Sequence, residues 1–222
     1  MIDWKELSNE IRQAMPDLKI LDEEPLARHM SFRIGGPAAI FAQPATVDEL
    51  SKLLRFLAAR GISPWILGAG TNVLAPDEGL REVVICTKDA LTGLCDLGGG
   101  KIEAFAGETL SKTAVFARNL SLTGLEFAHG IPGTVGGGIY MNAGAYGGEM
   151  KDVLTSVEYL AADGNIVEVP AAELDLSYRH SIFEENGGCI LSATFRLKKG
   201  DAASIKARMD ELMQKRIDKQ PL

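Results

Sequence analysis

The spacing of apolar residues predicts two helices in the first third of the chain. An apolar face recurs at helical spacing over roughly residues 3–15, and Pro16 ends this helix. Leucines recur on one face of residues 46–61, which predicts a second amphipathic helix. Thr46 and Glu49 stand three residues apart at its start, the spacing of a capping box.

Short runs rich in β-branched and aromatic residues predict strands between the helices. Strands at residues 38–44 and 63–67 flank the second helix and give a strand–helix–strand unit. From about residue 80 the pattern changes to short strands around one further helix. The predicted strands there cover residues 81–87, 101–108, 155–161, 165–170 and 189–197, and the helix covers residues 108–124.

This change of pattern predicts an α+β protein with two subdomains. A small α/β subdomain covers residues 1–80, and a larger α+β subdomain with mixed or antiparallel strands covers residues 81–199. Asp163-Gly164 is a hairpin-turn signal inside the larger one. Residues 200–222 form a final amphipathic helix.

Composition and charge exclude several classes of protein. The chain has 222 residues and a net charge of -7, which argues against nucleic acid or an anionic membrane as its main partner. The first 21 residues carry acids and no continuous apolar segment, and no apolar run reaches the length of a membrane span, so we expect no signal peptide, no membrane span and a cytoplasmic protein. Cys86, Cys95 and Cys189 are widely spaced and show no metal-binding spacing. We therefore expect no metal and interpret them as small buried hydrophobic residues.

A glycine loop follows the strand at residues 63–67. In "LGAGTNVL", Gly68 and Gly70 permit tight turning and expose backbone N–H groups, and Asn72 can fix the loop or contact a ligand. Such a concave set of donors suits phosphate. The pattern lacks the third glycine and distal acid of a dinucleotide fingerprint and the lysine of a P-loop. An ordinary turn remains the alternative.

A second and longer glycine run, "GIPGTVGGGIYMNAGAYGGE", covers residues 130–149. Eight of its twenty residues are glycine, yet apolar side chains are interleaved with them. A polar, flexible linker would have a different composition. The run therefore predicts a buried, tightly turned loop that faces a ligand. Together the two loops suit a dinucleotide with a flat ring, one loop holding its diphosphate and the other lying against the ring.

Four motifs in this order make the chain similar to the UDP-N-acetylenolpyruvoylglucosamine reductases, flavoenzymes of bacterial cell-wall precursor synthesis. They are "MSFRIGGPA", "ILGAGTNVL", "GLEFAHGIPGTVGGGIYMNAGAYGGEM" and "SYRHSIF". The resemblance covers nearly the whole chain. It implies an FAD-binding fold of the vanillyl-alcohol-oxidase (PCMH) type and non-covalent FAD. By motif match, the cofactor-binding residues are Gly68, Ala69, Gly70, Thr71, Asn72, Val73, Gly130, Ile131, Pro132, Gly133, Thr134, Gly136, Gly137, Asn142, Gly144, Ala145, Tyr146 and Gly147.

The resemblance also implies the reaction. NADPH reduces FAD, and hydride then passes to the enolpyruvyl ether of UDP-N-acetylglucosamine, which gives UDP-N-acetylmuramate. Arg179 would be the catalytic cation that stabilises charge on the substrate carboxylate. Tyr178 and Arg179 would bind substrate. A surface ion pair is the alternative for Arg179, and plain packing is the alternative for Tyr178 and Tyr146.

Two further residues have weaker claims. His180 neighbours Arg179, and we expect a structural hydrogen bond there rather than acid–base catalysis. Arg33, in "FRIGG", either approaches the diphosphate or pairs with an acid.

The resemblance implies more chain than is present. In the family, a serine-bearing motif and a substrate-binding domain with a late glutamate follow the equivalent of "QPL" at residues 220–222. We expect this shortened chain to be the FAD-binding portion of a reductase, inactive alone. A non-catalytic flavin-binding module is the alternative. The expected partners are a UDP-sugar and NADPH, and the expected state is a monomer, with association through the face left by the absent domain as the alternative.

Overall fold

A computed structural model describes residues 2–219 of the chain, so residues 220–222 of the predicted final helix lie outside the described residues. The helices are α1 (Trp4–Ala14), α2 (Val47–Ala58), α3 (Leu110–Asn119), α4 (Val135–Tyr140), α5 (Phe183–Asn186) and α6 (Ala202–Lys219). The strands are β1 (Lys19–Pro25), β2 (Pro37–Gln43), β3 (Trp65–Leu67), β4 (Leu80–Cys86), β5 (Leu94–Gly98), β6 (Lys101–Phe105), β7 (Leu122–Thr123), β8 (Gly144–Ala145), β9 (Gly148–Glu149), β10 (Leu154–Leu160), β11 (Ile166–Pro170), β12 (Cys189–Arg196) and β13 (Lys198–Lys199). None of the helices within residues 2–219 is both long and apolar enough to cross a membrane.

The first sheet has the strand order β1-β2-β4-β3, and helix α2 makes the crossover between β2 and β3. At the start of α2, the Thr46 hydroxyl accepts the Glu49 N–H at 3.1 Å, as the capping box predicts. The reciprocal bond differs from the prediction, because Glu49 Oε2 accepts the N–H of Ala45 at 2.7 Å rather than that of Thr46.

Strand β4 belongs to this first sheet, and the sequence-based placement of residues 81–87 in the larger subdomain is wrong. β4 runs parallel to both β2 and β3. Val83 and Val84 are buried in different apolar clusters, so the strand is covered on both faces, as central parallel strands are. The change from one sheet to the next therefore falls between Cys86 and Leu94 rather than at residue 80.

The second sheet is antiparallel throughout, with the strand order β11-β10-β12-β6-β5. The predicted turn at Asp163-Gly164 joins β10 to β11, and Gly164 has a φ of +78°. One buried apolar cluster contains residues from both sheets, among them Ile40 and Ile102. The two sheets therefore share a core.

Helix α6 packs on this same core. Ile205, Met209 and Leu212 are buried, which removes the apolar stripe of the helix from solvent. Ile217, closer to the end of the helix, is 44% exposed. Most of the apolar stripe of α6 is therefore covered by the chain itself.

A polar contact ties the two sheets together at the β10–β11 turn. The Gly164 carbonyl accepts hydrogen bonds from Ser51 Oγ at 3.0 Å and from the Arg55 guanidinium at 3.1 Å, both on α2. A Cβ on Gly164 would lie 2.4 Å from Arg55 Cγ, so the turn admits this arginine only because it carries glycine.

Replacing Arg55 with methionine should therefore lower the free energy of unfolding by about 1 kcal/mol, the usual contribution of such a hydrogen bond. Lys52→Met is the matched control on the same helix, since Lys52 forms an exposed ion pair with Asp48 and should contribute about 0.5 kcal/mol or less. Urea unfolding measures both. If the two variants lose the same free energy of unfolding, the contact between Arg55 and Gly164 does not stabilise the fold.

Candidate functional site

The loop after β3 presents a row of backbone N–H groups. Within residues 2–219, the N–H groups of residues 68–73 donate to no protein group. The loop is seated on the segment before β2, since the Gly70 carbonyl accepts the Ser31 N–H at 2.9 Å. Gly70 has a φ of +63°, and a Cβ there would lie 2.1 Å from the His29 carbonyl oxygen. A tightly turned set of unpaired amides binds anions, phosphate in particular.

The start of the second glycine run touches this loop. Thr71 Oγ1 donates to the Pro132 carbonyl at 3.1 Å. A Cβ on Gly68 would lie 2.6 Å from Thr134 Oγ1, and one on Gly133 would lie 3.0 Å from Thr71 Oγ1. Each loop thus has a glycine where the other presents a hydroxyl. The structure brings together the two loops that the sequence singled out separately.

The middle of the run is helical, and the prediction of a loop over its whole length is wrong there. Thr134 begins α4, its hydroxyl accepting the Gly137 N–H at 3.4 Å. Gly136 donates to the Ala106 carbonyl at 2.8 Å, and a Cβ on it would lie 3.0 Å from Ala106 Cβ. The lack of a side chain at Gly136 therefore lets this short helix lie against residue 106. Gly136 thus contacts another part of the protein.

Gly130, at the start of the run, is covered by the last helix. A Cβ on Gly130 would lie 2.8 Å from Arg216 Nε, and the Arg216 guanidinium lies 6.0 Å from the centroid of the Tyr146 ring. Helix α6 therefore reaches both ends of the glycine run. No motif in the sequence singled out Arg216.

The end of the run forms a hairpin, β8–β9, beside a cavity of about 220 Å³. Tyr146 and Gly147 make its two-residue turn with φ values of +53° and +86°, the left-handed pair of a type I′ turn. Asn142 and Arg179 also have positive φ values, +39° and +57°. Three non-glycine residues in a strained conformation thus surround one cavity, and such strain concentrates at functional sites. The lining residues are Asn142, Gly144, Ala145, Tyr146, Gly147, Gly148, Glu149, Tyr178 and Arg179.

Arg179 is the exposed cation of this cavity. It sits in a turn closed by two hydrogen bonds between Ser177 and His180, N–H to O at 3.3 and 3.4 Å. Within residues 2–219 its guanidinium forms no hydrogen bond and no ion pair, and it lies 5.7 Å from the centroid of the Tyr178 ring. Tyr178 is 86% exposed, so its ring is not part of the core. The surface ion pair, which was the alternative interpretation of Arg179 from the sequence, is therefore absent from the described residues.

The acid of the cavity is Glu149. Lys151 Nζ lies 2.8 Å from its carboxylate. The pKa of Glu149 is lowered, first by the hydrogen bond from Lys151, and further by the amide of Asn142 and the charge of Arg179. Glu149 was not among the residues that the sequence predicted for the site, because only the fold brings residues 149 and 179 to the same cavity.

The two weaker candidates fall outside the cavity. His180 bonds Glu184 through Nδ1 at 3.0 Å and faces Asp175 through Nε2 at 3.4 Å. The hydrogen bond to Glu184 is the main cause of the raised pKa of His180, and this is the structural bond that the sequence analysis expected. Arg33 is exposed and pairs with no acid within the part of the chain that the structure describes.

The glycine run is therefore the element that connects the two parts of the site. Its first residues touch the loop at residues 68–73, and its last residues line the cavity with Arg179. The unpaired amides and the glycine contacts between the loops fit a bound diphosphate, and they fit FAD as the resemblance implies.

Comparisons with known proteins agree with this geometry. The family described as FAD binding domain matches residues 38–170. The reductase of Agathobacter rectalis named UDP-N-acetylenolpyruvoylglucosamine reductase is 43% identical over 96% of this chain and 71% of its own length. A protein of the same name from Caldanaerobacter subterraneus subsp. tengcongensis is 44% identical over 97% of this chain and 71% of its own length.

Solved structures show the same fold. The UDP-N-acetylenolpyruvylglucosamine reductase (MurB) of Thermus caldophilus superposes with a TM-score of 0.76 at 32% identity, covering 92% of this chain and 71% of its own. An alkyldihydroxyacetonephosphate synthase superposes with a TM-score of 0.63 at 13% identity, covering 89% of this chain and 41% of its own, which shows the fold alone. The predicted α+β, PCMH-type FAD-binding fold is confirmed. By sequence identity over nearly its whole length, the chain belongs to the UDP-N-acetylenolpyruvoylglucosamine reductase family.

Proposed function

We propose that this chain is the FAD-binding part of a cytoplasmic, NADPH-dependent reductase that converts the enolpyruvyl ether of a UDP-sugar to UDP-N-acetylmuramate for peptidoglycan synthesis. The observation that carries the proposal is the position of Arg179, an exposed cation without a hydrogen bond or ion pair within residues 2–219, at the cavity that the glycine run forms. A protein that only stored flavin would have no need of such a cation.

The loop at residues 68–73 would hold the diphosphate of FAD through its free N–H groups. Gly133 and Thr134, which approach this loop, would extend that surface. When bound, FAD supplies the hydride. The lack of side chains at Gly68 and Gly133 keeps the two loops close enough for one ligand to contact both.

Arg179 would hold the substrate carboxylate. Arginine stays protonated and grips a carboxylate with two donors. Hydride addition to the enolpyruvyl group increases the negative charge on that carboxylate, so a fixed cation stabilises the transition state more than the ground state. Tyr178, exposed beside Arg179, would contact the substrate in the same cavity.

The match with the Agathobacter rectalis reductase covers 71% of the length of that protein. We propose that the chain by itself turns over slowly, because in the family that it resembles the proton donor is a serine and the arginine is assisted by a late glutamate, and neither lies within residues 1–222. General acid catalysis by one positioned group contributes roughly 100- to 10,000-fold. A non-catalytic flavin module remains the second candidate, and the retention of Arg179 favours the reductase.

We predict that the purified protein is yellow and that denaturation releases its FAD. The structure offers loops for the ligand, and the resemblance implies no covalent bond to the chain. Absorbance of the supernatant after precipitation of the denatured protein measures the released flavin. Flavin that remains attached to the precipitate, or a protein that takes up no FAD at all, contradicts the prediction.

Gly133→Ala should weaken FAD binding at least ~10-fold, equal to about 1.4 kcal/mol. The new Cβ would lie 3.0 Å from Thr71 Oγ1 on a backbone with a φ of +133°, so residue 133 is strained and Thr71 must shift within the loop that would hold the diphosphate. Fluorescence titration of the apoprotein with FAD measures the affinity.

Gly98→Ala is the matched control for Gly133→Ala. Gly98 also has a positive φ, +74°, but a Cβ there meets nothing within 4 Å. Its affinity for FAD should remain unchanged. If both variants lose affinity equally, backbone strain rather than loop contact explains the effect.

We predict little oxidation of NADPH by residues 1–222 with the enolpyruvyl UDP-sugar, beside rapid oxidation by the full-length Agathobacter rectalis reductase under the same conditions. Adding the separately produced C-terminal part of that relative should restore a rate to this chain, and Arg179→Gln should abolish the restored rate. Restoration that is independent of Arg179 would remove its catalytic role. Full activity of residues 1–222 alone would show that a proton donor lies within them.

A further inference from the structure

Asn142 is a buried amide between two parts of the cavity. It is 3% exposed and has a φ of +39°, a conformation that asparagine tolerates better than most residues. Its Nδ2 donates to Glu149 Oε2 at 2.9 Å and to the Ser177 carbonyl at 2.9 Å. Its Oδ1 accepts the N–H of Lys151 at 3.0 Å. Both hydrogens of the amide and one lone pair are thus used by the protein.

These three bonds connect separate elements. Glu149 and Lys151 lie at and just after strand β9, whereas Ser177 begins the turn that carries Arg179. A buried amide with protein partners at both ends holds those partners in register, because loss of any bond leaves a polar group unpaired. The amide of Asn142 is therefore committed to the protein, although the motif match assigned this residue to cofactor binding.

The turn at residues 177–180 has further supports on its other side. The His180 ring is held between Glu184 and Asp175, and the fully buried Ser181 donates to the Tyr140 carbonyl at 2.7 Å. Asn142 is the support on the side of the cavity, and it bonds Glu149, which lines the cavity together with Arg179.

We propose that Asn142 is a positioning residue for Arg179: its side-chain amide joins the β8–β9 hairpin to the turn at residues 177–180 and thereby fixes the guanidinium at the cavity. The inference rests on the proposed function only in taking Arg179 as the group that meets the substrate. Asn142 acts through backbone and carboxylate contacts and touches no substrate itself.

The test compares how much Arg179 changes the pKa of Glu149 in the presence and in the absence of the Asn142 amide. The pKa of Glu149 is measured by carbon-13 NMR at low ionic strength in the unmodified chain, Arg179→Gln, Asn142→Gly and the double variant. Glycine accepts the positive φ of residue 142, so Asn142→Gly removes the amide without adding backbone strain. Lys151 and Asp152, the other charged neighbours of Glu149, are present in all four proteins.

In the unmodified background, Arg179→Gln should raise the pKa of Glu149, because it removes a nearby positive charge. In the Asn142→Gly background the same replacement should raise it by less than half as much, because the turn no longer holds Arg179 in place. Ser121→Gly is the control background, since Ser121 also has a positive φ, +57°, and does not line the cavity. In the Ser121→Gly background, Arg179→Gln should raise the pKa of Glu149 by as much as it does in the unmodified chain.

The proposal is overturned if Arg179→Gln changes the pKa of Glu149 equally with and without the Asn142 amide. It is also overturned if Arg179→Gln does not change the pKa of Glu149 in the unmodified chain. If Asn142→Gly does not fold, Asn142→Ser takes its place with the same expected result. The measurement uses neither flavin nor substrate. A chain that fails to bind FAD would therefore refute the proposed function and leave this test readable.

Discussion

The site depends on the close contact between two loops, which meet through Thr71 and Pro132, 61 residues apart in the sequence. Thr71 donates to the Pro132 carbonyl, Gly68 leaves room for the Thr134 hydroxyl, and Gly133 leaves room for Thr71. A Cβ at Gly68 would lie 2.6 Å from Thr134 Oγ1 and one at Gly133 would lie 3.0 Å from Thr71 Oγ1, so at either position the facing threonine would have to shift. With the loops in contact, the free N–H groups of residues 68–73 lie at the start of the run whose other end forms the cavity with Arg179.

The rest of the fold holds this contact in place. The first loop follows β3, an edge strand of the first sheet, and the second leads into α4, which lies against the chain at Ala106 because Gly136 has no side chain. A common core and the bonds from α2 to Gly164 keep the two sheets together. Rigid elements on both sides thus support two loops that have few internal bonds, which is how ligand-binding loops are commonly mounted.

Much of this was accessible from the sequence, because helices with a clear apolar stripe and loops with dense glycine carry local signals. Helix α2, its cap at Thr46 and the turn at Asp163-Gly164 are where their local patterns predicted. Strand β4 was assigned to the wrong half because a continuous apolar strand carries no sign of which sheet it joins. Helix α4 was missed because glycine disfavours helices, and only packing against residue 106 overrides that preference. Arg216 and Glu149 reach the site by tertiary contact, for which the sequence has no local signal.

The central claim is that one ligand contacts both loops, and amide chemical shifts during an FAD titration test it most directly. Residues 1–222 are labelled with nitrogen-15, freed of flavin and titrated with FAD, and ADP is used in parallel to supply the diphosphate without the flavin ring. The account predicts that FAD shifts the amides of residues 68–73 together with those of Gly133 and Thr134, and that ADP shifts mainly the first group. Shifts confined to one loop, or shifts elsewhere with residues 68–73 unchanged, would contradict it.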